Sequence, residues 1–240
     1  MPLQFTAYIG IDYSGAQTPA SSLKGLRVYM ADRQTLPVEI EPPPSPRKYW
    51  TRRGLADWLV DQLGQDPPTL VGIDHGFSFP LRYFEVHHLP PDWPAFLEDF
   101  HRHWPTDEDH RSPESLRYGN PRTGHHSEFR LAENWTASAQ SVFKLDGAGT
   151  VGKSTHCGIP WLRFIRRNAA PDHRPHFWPF DGFEIPPNQS VIVEIFPSLL
   201  RKRYAKRENH TPDDHDAMCV AQGYGWPRLV EHLFQSAVNR

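Results

Sequence analysis

The sequence predicts an α/β fold: a mixed sheet in which an antiparallel meander of three strands is continued by parallel strands, with helices on its flanks. Three observations carry this expectation. An apolar run at 5–11 ends at Asp12. The tripeptide Gly-Ile-Asp at 10–12 recurs at 72–74, at the end of a second apolar run. Two strand patterns come soon enough after the first run for antiparallel turns, whereas the later ones are separated by stretches that allow helical crossovers.

Taken in order, the first strand is Phe-Thr-Ala-Tyr-Ile-Gly-Ile at 5–11, followed by Asp12 and the small turn residues Ser14, Gly15 and Ala16. Residues 26–31 and 36–41 form the next two strands, the second alternating Val38 and Ile40 with Glu39 and Glu41 before a proline stop. A helix from Thr51 repeats Leu55, Trp58, Leu59 and Leu63 at helical spacing and ends at Gly64. Residues 69–74 form a buried strand. Residues 82–140, rich in His, Pro, Trp and charge, make a large insertion after this fourth strand, with one weakly amphipathic helix near 94–103. Beyond it come a strand at 141–145, a helix at 159–167 and a fully buried strand at 190–195. Thr211-Pro212 starts a terminal helix, a hydroxyl cap followed by proline at the first helical position, which Ala217, Val220, Ala221 and Tyr224 continue. Proline clusters at 37–46, 90–94 and 171–187 mark stiff surface connections.

Composition bounds the function. With 38% hydrophobic and 22% charged residues in 240, the chain is expected to pack as one globular domain spanning 1–240. A net charge of -2 gives no general attraction to polyanions and excludes a histone-like coat, although the run Arg201–Arg207 is locally basic. The chain passes straight into an apolar strand with no basic leader, and no run approaches the roughly 20 apolar residues that span a bilayer. A soluble, cytoplasmic protein without a membrane partner is expected. Cys157 and Cys219, far apart, are expected to be reduced thiols.

Asp12, Asp74 and Glu194 each stand at or near the end of a predicted strand. Neighbouring parallel strands end about 4.8 Å apart, at the edge where open α/β sheets bind ligands, so the three acids are expected to converge. Carboxylates held that close repel one another unless a cation sits between them, which makes Mg²⁺ or Mn²⁺ the expected cofactor. Two such ions about 4 Å apart can activate water and stabilise the leaving oxygen of a phosphodiester. The terminal helix adds Asp213 and Asp216, three apart on one face, while Asp214 is placed to cap the helix with Thr211. Alternatives stay open for these acids. First-turn aspartates offset the helix dipole without a metal, and Glu194, among Val191, Ile192, Val193, Ile195 and Phe196, also suits a structural salt bridge. Lys153, Arg52, Arg53, Arg201 and Arg203 are the candidates for holding phosphate, with nucleic acid or a nucleotide as substrate.

Residues 147–154, Gly-Ala-Gly-Thr-Val-Gly-Lys-Ser, match the phosphate-loop pattern and keep an NTPase or phosphotransferase open. That loop belongs between a central strand and a long helix, whereas residues 142–146 are short and polar and Pro160 interrupts the segment after the glycines. A silent domain that binds partners through its proline- and tryptophan-rich insertion is a third alternative. No Cys and His set has the spacing of a closed zinc site, and no Gly-x-Ser-x-Gly elbow occurs.

Six blocks taken together carry a family resemblance. They are Ile9-Gly-Ile-Asp-Tyr-Ser-Gly15, Val71-Gly-Ile-Asp-His-Gly-Phe-Ser-Phe-Pro80, Gln140–Leu145 with Gly147–Gly152, Gly158-Ile-Pro-Trp161, Val193-Glu-Ile-Phe-Pro-Ser198 and Asp213-Asp-His-Asp-Ala217. In this order they resemble the "domain of unknown function 429" family of predicted ribonuclease H-like nucleases, over nearly the whole chain. The resemblance implies a ribonuclease H-like fold, a plan that the element order also fits. It implies a metal-dependent nuclease site made of Asp12, Asp74, Glu194 and the acids of 213–216. It also makes the glycines of 147–152 a recurring segment, with Lys153 and Ser154 as local variation.

Overall fold

The computed structural model describes residues 5–43, 48–65, 68–136, 138–147 and 150–222. Six strands form one mixed sheet: β1 (Ala7–Asp12), β2 (Arg27–Asp32), β3 (Val38–Glu39), β4 (Thr69–Asp74), β5 (His176–Trp178) and β6 (Val191–Glu194). Their order across the sheet is β3-β2-β1-β4-β6-β5. β2 is antiparallel to β1 and to β3, whereas β1, β4, β6 and β5 run parallel. Among the described residues seven α-helices flank it: α1 (Arg52–Leu63), α2 (Leu81–Val86), α3 (Trp93–His103), α4 (Pro113–Leu116), α5 (Leu131–Asn134), α6 (Val151–Asn168) and α7 (Pro212–Ala221).

Strand alternation sorts the core into two layers. Ile9, Ile11, Val71, Ile73 and Ile192 face α1, α3 and α6, whose Leu55, Leu59, Phe96, Phe100, Ile159 and Leu162 close the larger core. Tyr8, Leu70, Val191 and Val193 face the other way and pack against Ala217, Met218, Val220 and Ala221 of α7. α7 lies close to β1 because Gly10 has no side chain. A Cβ there would stand 2.1 Å from the Ala217 carbonyl oxygen. This approach brings the first turn of α7 over the end of β1.

The 82–140 insertion is built into the domain rather than appended to it. Phe84, Trp93, Phe96, Leu97, Phe100 and Trp104 belong to the same hydrophobic cluster as the central strands. α1 starts where expected, with the Thr51 hydroxyl accepting the Gly54 amide at 2.9 Å, and Gly64 stands just past its end. Cys157 and Cys219 are buried free thiols. Among the described residues, no helix is long and apolar enough to cross a membrane.

Four expectations need correction. Residues 141–145 are not a strand: a turn at 142–143 presses Val142 onto the core, and the Lys144 amide donates to Ser141 at 3.0 Å. The next helix begins at Val151 rather than 159. Its first half is rich in small residues because its neighbours come very close. A Cβ at Gly152 would lie 2.2 Å from the Lys144 carbonyl, and one at Gly158 would lie 2.3 Å from His75 Nε2. Pro160 is accommodated inside this helix. The His156 carbonyl, four residues earlier and denied an amide partner, accepts the Thr106 hydroxyl at 2.6 Å. β5 is unexpected, being three residues inside a proline-rich stretch, and β3 is two residues rather than six. Tyr224, expected to extend the terminal helix, lies outside the described residues.

Candidate functional site

The repeated Gly-Ile-Asp tripeptides lie side by side: Gly10 pairs with Gly72, Ile11 with Ile73 and Asp12 with Asp74. In-register residues of parallel strands point to the same face, so both aspartates leave the carboxyl edge of the sheet on the α7 side. α7 meets them with its first turn. Thr211 and Asp214 form a reciprocal cap, the Asp214 amide donating to the Thr211 hydroxyl at 3.2 Å and the Thr211 amide to the Asp214 carboxylate at 2.9 Å. With Asp214 so engaged and 3.3 Å from Arg27 Nε, Asp213 and Asp216 are the helix acids turned to the strand ends. Asp213 stands close enough to Asp12 for its charge to raise the Asp12 carboxyl. Asp216 is buried, and both its oxygens accept from Arg201, through Nε and Nη2. Arg201 opens a 3-10 turn, Arg201–Arg203, shortly after β6, and the rest of the basic run is a loop.

The cluster is electrostatically unsatisfied. Burial, and then the charges of Asp74, Asp213 and Asp216, push the Asp12 carboxyl up to about 9, with Arg201 opposing them. Asp74 is pushed up to about 7 by burial, then by Asp216 and Glu194. Asp213 is raised as well, by burial and by Asp216.

Glu194 does not join this group. It pairs with Ile73, one residue short of Asp74, and a one-residue offset sends its side chain to the opposite face. There it accepts two bonds from Arg130, at 2.7 and 2.6 Å, and the Phe77 amide at 3.0 Å. Burial works against its charged form, yet Arg130 and the Phe77 amide hold it below the usual carboxylate range. The convergence of Glu194 with Asp12 and Asp74 is therefore corrected to a structural salt bridge. Arg130, from the insertion, is not among the sequence candidates. The signal for it is the need itself: a carboxylate inside an apolar strand requires a dedicated cation.

The phosphate candidates divide. Arg52 is fully buried and donates to the carbonyls of Ser14, Ala16 and Gln17 at 3.1, 2.7 and 3.1 Å, so it clamps the loop after β1 and is not open to a ligand. Arg53 is bonded to Asp109 at 2.9 Å and Lys153 to Glu114 at 2.6 Å, both reaching into the insertion. Arg201 stands in the acid cluster, and Arg203 is exposed on the same turn. Of the 147–154 segment, Val151–Ser154 already form the first turn of α6; a turn at 142–143 stands where a phosphate loop needs its strand, and the Ser154 hydroxyl donates to the Val151 carbonyl at 3.0 Å.

Among the described residues, no three His, Cys, Asp or Glu side chains form a ready ligand shell for a metal ion. The donor set of Asp12, Asp74, Asp213 and Asp216 is nevertheless right in kind for a hard divalent cation. Every donor is a carboxylate oxygen, and the repulsion that raises Asp12, Asp74 and Asp213 is what such an ion relieves. Comparison of the chain with models of known protein families, with curated proteins and with solved structures found no match.

Proposed function

We propose that this chain is a Mg²⁺- or Mn²⁺-dependent phosphodiester hydrolase on a ribonuclease H-like fold, a nuclease of the family its motifs resemble. The observation that carries the proposal is the in-register Asp12–Asp74 pair on adjacent parallel strands, faced by Asp213 and Asp216 of α7. The sheet order supports the fold assignment, with antiparallel β2 and β3 on one side of β1 and parallel β4 and β6 on the other.

Asp12, Asp74, Asp213 and Asp216 would hold the cation. Bound there, it supplies Lewis acidity that activates water and offsets charge developing on the phosphodiester oxygens. The chain does the positioning: two strand ends fix one pair of carboxylates and the capped first turn of α7 fixes the other. Arg203, exposed on the turn that carries Arg201, would meet a phosphate of a nucleic acid or nucleotide substrate. Glu194 braces the segment after β4 through the Phe77 amide and contributes no ligand.

The test is incubation with labelled single-stranded, double-stranded and hybrid nucleic acids plus Mn²⁺, beside Asp12→Asn. Metal-dependent cleavage of at least one substrate, abolished in the variant, is expected. Absence of cleavage on every substrate overturns the proposal.

A further inference from the structure

We infer that Arg201 is a built-in counter-ion, holding the place of a divalent cation beside Asp216 and withdrawing when the cation binds. This rests on the metal-site proposal above and adds to it a specific competition between a side chain and an ion.

The geometry points to exchange rather than to a fixed structural pair. Arg201 engages both oxygens of Asp216, so a metal drawing on that carboxylate has to compete with the guanidinium for it. Its positive charge is also shared with Asp12 and Asp74, which together with Asp216 hold the guanidinium firmly protonated. One side chain thus supplies, in part, the positive charge that the acid cluster demands. Its anchorage is light. The Arg201 side chain is 50% exposed whereas that of Asp216 is 6% exposed, so the arginine can leave for water at little cost and the aspartate cannot.

Arg130 shows what a permanent partner looks like here. It is 15% exposed and gripped by two carboxylates, Glu194 and Glu133. Arg201 instead sits on a short 3-10 turn with, among the described residues, one direct carboxylate partner. Once released, Arg201 remains tethered beside the site, where its planar fork suits a phosphate oxygen pair. Because such coupling is reciprocal, removing the arginine must tighten the metal, and the metal must loosen the arginine.

The experiment titrates Mn²⁺ into the full chain by calorimetry, comparing wild type with Arg201→Ala, Arg201→Gln and Lys202→Ala, an exposed charge removed from the same turn. Loss of Arg201 is expected to tighten Mn²⁺ about tenfold. Lys202→Ala should stay within about twofold, being a screened surface charge. The Arg201 variants should also melt lower than wild type without metal and recover at saturating Mn²⁺. Equal Mn²⁺ affinity in wild type and both Arg201 variants overturns the inference and leaves the metal site standing. No Mn²⁺ binding in any of them overturns the metal site itself. Should the variants fail to fold, the Arg201 Nε–H resonance of wild type decides: Mg²⁺ must move it toward the position of a solvated guanidinium, and an unmoved signal refutes the exchange.

Discussion

On one face of the sheet edge, Glu194 is held by Arg130 and by the Phe77 amide; on the other, Asp12, Asp74 and Asp216 share the charge of a half-exposed Arg201. Neighbouring parallel strands supply them, β6 the first and β1 and β4 two members of the second, and burial opposes ionisation in both. The outcomes are opposite. Glu194 finishes below the ordinary carboxylate range, whereas Asp12 is pushed to about 9 and Asp74 to about 7. Burial alone therefore does not mark a functional acid. The faces differ in whether the chain supplies a dedicated counter-charge, and the face that lacks one is suited to an exchangeable ligand.

The largest way to break this contrast is to remove the dedicated partner. Arg130→Ala strands two carboxylates, the buried Glu133 and the part-exposed Glu194, and should cost about 3–5 kcal/mol in urea unfolding. Replacing all three members, Arg130→Met with Glu194→Leu and Glu133→Gln, should recover most of that loss, because only partial removal strands a charge: Arg130 also holds Glu133, whose side chain is 6% exposed. A loss under about 1 kcal/mol for the single variant would show that water already reaches Glu194.

The two faces should also respond to pH in opposite directions in metal-free protein. His75, on the Glu194 side, and His156, boxed by Phe79, Phe100 and Trp104, are both driven down to about 4 by burial. Their folded values lie below the unfolded one, so the stability they contribute is full above about 6.5 and is lost as pH falls toward 4, on the order of 3 kcal/mol for each. Asp12 and Asp74 are raised instead. Their contribution is full below about 3.8 and is lost as pH rises through about 7 for Asp74 and about 9 for Asp12. Urea midpoints from pH 4 to 9 should thus fall on both limbs. Asp12→Asn should flatten the alkaline limb alone and raise stability at pH 7 by about 2 kcal/mol. An unchanged alkaline limb would mean that the acids are better solvated than the structure has them.

Much of this edge was legible in the sequence, and the illegible part has a definite cause. The repeated Gly-Ile-Asp announced two equivalent strand ends, and they pair in register. Thr211-Pro212 and Asp214 announced the cap that leaves Asp213 and Asp216 to face the strands. Glu194 could not be assigned to a face, because a strand apolar on both sides has no alternation to show which way a residue points, and a single residue of register reverses it. Arg52 and Arg53 look alike in sequence, yet one is sealed inside a loop of inward-turned carbonyls and the other is on the surface. The start of α6 was hidden for a related reason. Gly152 and Gly158 read as helix breakers, but they are what lets the Lys144 carbonyl and the His75 ring approach.

The smallest effect sets the baseline for the others. Arg53 and Asp109 join α1 to the insertion at 2.9 Å, with side chains 48% and 62% exposed. An ion pair that wet gains little Coulomb energy and is screened by salt, so Arg53→Ala should cost about 0.2–1 kcal/mol and leave the pH profile unchanged. Arg130 and Arg53 both link the insertion to the core by a guanidinium–carboxylate pair at hydrogen-bonding distance. Arg130 is sheltered and held by two carboxylates where Arg53 is wet and held by one, and the gap between the two measured losses reports what burial and the second partner add together. If Arg53→Ala cost as much as Arg130→Ala, ionic anchoring of the insertion would account for both, and compensation at the Glu194 face would have no special weight.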